Sequence, residues 1–416
     1  MKILLVNDYG GATGGAEIQM LTLRRLLRDR GHDARLFASN AQMVSRSPNL
    51  ADYSCYGTTN QVQVLSQTFN VSAYVRLRQV LSAFQPDVVH VRMFLWQLSP
   101  LILPLIKSYP SLYQTAVYKA ICPIGTNILP SGEPCRFAPG GACLKQGCVT
   151  PQSWISLMTQ QRLWRRWKNS FDRIVALSHG MKRELAQAGI HDVEVVYNGV
   201  PERSARPTLT SAPTVGYAGR FSAEKGIETL FRAFAKVAQQ VPDARLMMAG
   251  RGPTEVALKT LAKKLAIADQ ITWLGHVSRA EMERQLETLW VQVVPSLWAE
   301  PFGNVTTEAM MRATAVVVSS VGAQPEIVGE RAGGANPVGA LVLPGNVEAL
   351  AEALLPILRS RTVAEQMGNA GRERALAHFS ETKCVESFLH IYSELVGQSF
   401  DNHLSHSVAT APSASS

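Results

Sequence analysis

Two glutamates stand eight positions apart in "WAEPFGNVTTEAM", residues 298–310. On one continuous helix, Glu300 and Glu308 would share a face. Pro301 and Gly303 interrupt the first half, so the pattern predicts a helix starting only near Val305. Glu300 then lies in the preceding loop and Glu308 in the first turns. Between them fall the amides of Phe302, Gly303 and Asn304, at a helix N-terminus suited to an anion. The stretch therefore asks for a ligand that wants a carboxylate, a phosphate-friendly amide cluster and a second carboxylate.

"GYAGRFSAEKGIETL" adds cations. Gly219 and Arg220 follow an apolar run, and Lys225 opens the next helix. An arginine fork and a lysine point charge together can grip a diphosphate. In "DYGGATGGAEIQM" four glycines fall within six positions, Gly14 and Gly15 being the last two. They allow a sharp turn and close approach of a ligand to backbone. No G-x-G-x-x-G fits, and "DARLFAS" ends without an acid, so this is not a dinucleotide fingerprint. His90 ends "PDVVH" and either faces a ligand or is a satisfied strand-end histidine; the sequence leaves both open. Cys122, Cys135, Cys143 and Cys148 are separated by twelve, seven and four residues. A zinc cluster stays open for them, but the lack of a C-x2-C knuckle favours an ordinary loop of free thiols.

These residues need a scaffold, and the chain supplies one twice. "KILLVN", "DARLFAS", "PDVVHVR", "PSLYQTAVY" and "FDRIVALS" read as strands, with helices such as "AEIQMLTLRRLLRDRG" and "AYVRLRQVLSAF" between. A Pro/Ser/Thr-rich linker follows "VYNGV". The alternation then restarts through "TVGYAG", "ARLMMAG", "ITWLGHV", "VQVVPS", "TAVVVSS" and "GALVLP". The expected organisation is a first domain over residues 1–203 and a second over 204–380. A helix over 381–397 is expected to cross back to the first domain, and 398–416 to be a disordered tail. Two such α/β units imply a cleft where the carboxyl ends of both sheets meet.

"GRFSAEKG", "LGHV", "EPFGNVTTEAM" and "QPEIV", in that order, resemble the C-terminal domain of retaining glycosyltransferases of family GT4. "GGAE", "PDVVHV", "VYNGV" and "AGRGP" extend the resemblance over almost the whole chain. It implies the GT-B fold, two Rossmann-like doubly wound α/β domains facing each other across a cleft. It also implies sugar transfer from a nucleotide-sugar to a glycan, lipid-linked or small-molecule acceptor, with no cofactor and no metal. By position Glu300, Arg220 and Lys225 would be catalytic. Gly219, Arg251, His276, Phe302, Gly303, Asn304, Val305 and Glu308 would join them around the donor, Glu308 on the ribose. Gly14, Gly15 and His90 would lie on the acceptor side. The chain departs from the family at Ala116 and Val117, where many relatives carry His-Asp, and at His90-Val-Arg92, where His-x-His is common. A nucleotide-sugar-binding protein without turnover and a GT-B epimerase are the alternatives.

The 416 residues carry 41 Lys and Arg against 32 Asp and Glu. Residues 1–200 hold 21 of those cations and 11 of the acids, leaving 20 and 21 for the rest. A basic first half beside a neutral second half points to an anionic partner for one domain only. The cations are dispersed and no recognition motif accompanies them, which argues against nucleic acid. No window reaches twenty apolar residues, and "MFLWQLSPLILPLI" is cut by Pro100 and Pro104. The expectation is a cytoplasmic chain, with the inner face of an anionic membrane as a further location. "RLWRRWKNSFDRI" serves an interfacial helix or a partly buried one, and the basic first half tips the reading modestly toward the membrane.

Overall fold

A computed structural model describes residues 1–12, 14–42, 48–275, 277, 279–329 and 338–397. His276 and the expected tail, 398–416, lie outside the described residues.

Near-continuous runs of Val, Ile and Leu mark strands buried on both faces, which is the signature of parallel sheets covered by helices. β1 (Lys2–Tyr9), β2 (Asp33–Ser39), β3 (Tyr53–Cys55), β4 (Val88–Val91), β5 (Ser111–Thr115), β6 (Arg173–Ala176) and β7 (Val193–Val195) form the first sheet. Its order is β3-β2-β1-β4-β5-β6-β7, with every pairing parallel. β8 (Thr214–Ala218), β9 (Arg245–Ala249), β10 (Ile271–Trp273), β11 (Val291–Val294), β12 (Ala315–Ser319) and β13 (Ala340–Val342) form the second. That sheet runs β10-β9-β8-β11-β12-β13, again all parallel. Each order reverses beside its first strand, at β1/β4 and at β8/β11. Loops leave those neighbouring strands in opposite directions and open a crevice at their carboxyl ends.

The chain does not simply divide at the linker. The helix Glu381–Leu395 leaves the second domain and packs Val385, Phe388, Leu389, Ile391 and Tyr392 onto Ile3, Leu5, Met20, Leu23 and Leu112 of the first. Two crossing segments lie side by side: Val200 N donates to Phe379 O at 2.8 Å, and Glu381 N to Val200 O at 3.1 Å.

Several expectations change. "PSLYQTAVY" stays a strand only to Thr115, and "ITWLGHV" only to Trp273. Trp164 in "RLWRRW" is 1% exposed, edge-on to Phe94 and Tyr113 and tilted against Phe171, with Nε1 donating to Ala120 O at 2.9 Å. It belongs to the core, and Arg162, Arg165 and Arg166 on the same helix, Pro151–Trp167, stay in solvent. Among the described residues no helix is long and apolar enough to cross a membrane.

Candidate active site

The crevices of the two sheets face one another and enclose an open cleft of about 380 Å³. From the first domain come Gly15 and Ala16 after β1, Arg92 after β4, Ala116 and Val117 after β5, and Asn198. The second domain contributes Gly219, Arg220 and Lys225 after β8, and Ser296, Trp298, Glu300, Phe302, Asn304 and Val305 after β11.

Glu300 is 6% exposed. Its Oε1 accepts from Lys225 Nζ at 2.7 Å and from the Ser296 hydroxyl. Lys225 also lies over the Trp298 ring, 5.3 Å from its centroid. Its loop is seated by Gly226, whose φ is +66° and where a Cβ would fall 1.9 Å from Pro295 O. Only glycine fits that approach, and it presses the lysine loop onto the end of β11. Arg220 is exposed on the cleft rim, with no ion-pair partner among the described residues. Its carbonyl accepts from Tyr217 OH at 2.9 Å, which fixes the loop's path. Burial, with the nearby Glu300 and Glu224 charges, raises the Tyr217 phenol well above its ordinary range, so it serves as a neutral donor.

The helix after Pro301 spans Asn304–Met311, capped by Gly303, one residue from the start read in the sequence. Among the described residues the amides of Phe302, Gly303, Asn304 and Val305 have no protein acceptor. They are four free donors at the positive end of a helix dipole beside Lys225 and Arg220, an arrangement suited to a diphosphate.

Asn198, which no sequence reasoning assigned, ties the two walls together. Its Nδ2 donates to Asn304 Oδ1 and its Oδ1 accepts from Arg92, both at 3.0 Å. Arg92, 3% exposed, also donates to Gln114 at 2.6 Å, and burial lowers it to about 10. Glu326, quoted within "QPEIV" but given no role, spans the domains as well. Its carboxylate accepts from the His179 and Gly180 amides at 2.9 and 2.8 Å, and from Tyr197 OH at 3.1 Å. It therefore sits on the N-terminus of the helix His179–Gln187. Its signal was the Glu beside Pro at a helix start, but the helix it serves lies in the other domain.

Other residues fall elsewhere. His90 is fully buried beneath the last helix, its Nδ1 2.6 Å from Tyr392 OH and its ring against Phe388. Burial and then Arg92 push it down to about 3, so it is a neutral structural histidine and not a cleft residue. Gly14 caps the helix Gly15–Asp29 and, like Gly303, lies just behind the lining. Glu308 sits half-buried on its helix, beyond the last lining residue, Val305, with its charge acting on buried Arg312. Arg251 is exposed beside Gly275, outside the lining. Cys122, Cys135, Cys143 and Cys148 are free thiols around one small apolar cavity. Among the described residues no group of three or more His, Cys, Asp or Glu is placed to hold a metal.

Two family profiles match in tandem, "Glycosyltransferase Family 4" over residues 13–203 and "Glycosyl transferases group 1" over 202–374. An uncharacterized glycosyltransferase of Methanocaldococcus jannaschii is 26% identical over 54% of this chain, which spans only 62% of that protein. The phosphatidyl-myo-inositol mannosyltransferase of Mycobacterium leprae is 25% identical over 94% of this chain and 96% of its own. The Anabaena protein HepE, solved with UDP and glucose, superimposes with a TM-score of 0.65. It is 18% identical, over 94% of this chain and 99% of its own. The paired sheets, the cleft between them and these matches make the chain a member of the GT-B glycosyltransferases of the GT4 type.

Proposed function

We propose that the chain moves a sugar from a nucleoside-diphosphate sugar to an acceptor hydroxyl, with the anomeric configuration kept. The observation that carries this reading is the Lys225–Glu300 pair beside four free amides at the cleft. Arg220, Lys225 and the amides at residues 302–305 take the diphosphate and its growing negative charge. Glu300 takes sugar hydroxyls and Glu308 the ribose. The bond from the anomeric carbon to the diphosphate oxygen breaks, and a bond from that carbon to the acceptor oxygen forms on the same face. The acceptor's proton passes to the departing diphosphate. No side chain is needed as base, which suits a wall of Ala116 and Val117. UDP is the first nucleotide to test, because HepE holds UDP in the same fold.

Saturation-transfer NMR against UDP-glucose, UDP-galactose, UDP-N-acetylglucosamine, GDP-mannose and ADP-glucose tests the reading. Wild type is expected to bind one of them and to hydrolyse it slowly to the retained anomer. In Glu308→Ala the saturation of the ribose protons should fall away while that of the base protons persists. Binding of none would end the transferase reading. The absence of His-Asp at Ala116 and Val117 favours one other outcome, donor binding without turnover.

A further inference from the structure

Resting on that reading, we propose that the acceptor carries a phosphate group. We place that group in a basic groove running from the donor cleft along the helix His179–Gln187. Three cavities adjoin. Trp298 lines both the donor cleft and a neighbouring cavity of about 130 Å³. Asn127, Arg136 and Glu184 line that cavity and the next, of about 480 Å³, which reaches beneath Trp164 and Arg165. The outer cavity falls within the size range of small-ligand sites.

The groove is built rather than incidental. A hairpin forms one wall, closed by the bridge between Ile128 and Pro134, with Cys135 N donating to Asn127 O at 3.0 Å. Asn127 Nδ2 pins this hairpin to Glu184 at 3.0 Å, and Arg136 reaches Gln187 at 2.9 Å. Charge along the groove is one-sided. Arg136, Arg165, Lys168 and Arg183 line it against the single carboxylate of Glu184, which Asn127 and Arg136 already engage. At the mouth toward the donor, Trp298 lines both cavities, and its indole N–H is buried without a partner among the described residues. A buried donor of this kind is rarely left unmatched, and an acceptor oxygen at the junction would satisfy it. A neutral glycan gains little from four cations, whereas a phosphate gains charge-assisted hydrogen bonds from the arginines.

Calorimetry with UDP present tests this with glucose 1-phosphate, farnesyl phosphate in detergent micelles, inorganic phosphate, methyl glucoside and farnesol. A phosphate ester is expected to bind while methyl glucoside and farnesol do not. Arg136→Gln/Arg165→Gln should weaken that ester at least about tenfold and leave UDP affinity, and so the fold, unchanged. Arg162→Gln, on the same helix but outside the groove, should bind as wild type. Glucose 1-phosphate binding identifies a soluble sugar phosphate; farnesyl phosphate binding alone identifies a lipid-linked one. Equal binding of the neutral controls, no better binding of an ester than of inorganic phosphate, or indifference to the arginine changes would overturn the proposal. UDP binding without ester binding removes the groove and leaves the transferase reading intact. Arginine-dependent ester binding without any nucleotide binding does the reverse.

Discussion

At the scale of single residues, the proposed chemistry rests on a cation and a carboxylate that neutralise one another across the cleft floor. Lys225 is 24% exposed at its side chain and Glu300 8%, so their 2.7 Å contact is screened less than a surface pair. An incoming diphosphate competes with Glu300 for the ammonium and leaves the carboxylate to sugar hydroxyls. The two roles separate by substitution. Glu300→Gln keeps the shape and releases Lys225, so UDP affinity should hold or rise while transfer falls about 10²–10³-fold, the scale of losing one preorganised group. Lys225→Met should instead weaken UDP at least about tenfold, or ~1.4 kcal/mol. Calorimetry and initial rates on both variants decide it; parallel losses in binding would refute the division. Much of this constellation was legible, because charged residues next to Gly and Pro after apolar runs have little reason to exist in a loop. Asn198 and Arg92 were not legible as a bridge, since a lone Asn in "YNG" reads first as a turn residue.

At the scale of elements, the second domain's short helix Gln324–Val328 meets the first domain's helix His179–Gln187 through one carboxylate. Approach is close enough that a Cβ on Gly180 would fall 2.4 Å from Gly322 O. Glu326 thus joins the domains by a charge placed on a helix N-terminus. Glu326→Gln retains one acceptor oxygen but removes the charge, and charged hydrogen bonds exceed neutral ones by about 1 kcal/mol. The His179 and Gly180 amides should then exchange with solvent roughly five- to tenfold faster, with the sheet amides of β1 unchanged. Unaltered exchange at those two amides would show that the latch does not hold the domains. Sequence patterning read β10 and β13 at three residues each but passed over β3 and β7, because Tyr53–Cys55 carries no apolar run and Glu194 splits Val193–Val195. It also left "RLWRRW" ambiguous, because Trp at helical spacing among arginines looks the same whether it faces core or lipid. Packing against Phe94 and Tyr113 decides for the core.

At the scale of the whole molecule, the last helix makes the first domain's core depend on the far end of the chain. Phe388 and Tyr392 cover His90, which burial, and then the nearby Arg92 charge, keep a neutral imidazole. The sequence gives no sign of this burial, since it arises between residues about three hundred positions apart. Its consequence is a pH dependence with a definite sign. The unfolded chain takes up the His90 proton near pH 6.5, whereas the folded chain resists until about 3. Through this group, stability falls progressively as pH drops from 6.5 toward 3, by up to ~1.4 kcal/mol per unit. Asp8 acts in the opposite sense. Its burial raises it to about 6 despite the Trp96, Gln97 and Leu98 amides it accepts from, so the folded chain binds that proton first and gains stability between pH 6 and 4. The two slopes oppose each other in wild type, and removing the histidine exposes the other. His90→Gln should be less stable than wild type at pH 7.5, through poorer packing under the helix, yet the gap should close by up to about 3 kcal/mol at pH 4.5. Urea unfolding of the first domain at both pH values reads this directly. A gap that stays constant would mean that His90 is not a neutral, helix-covered group.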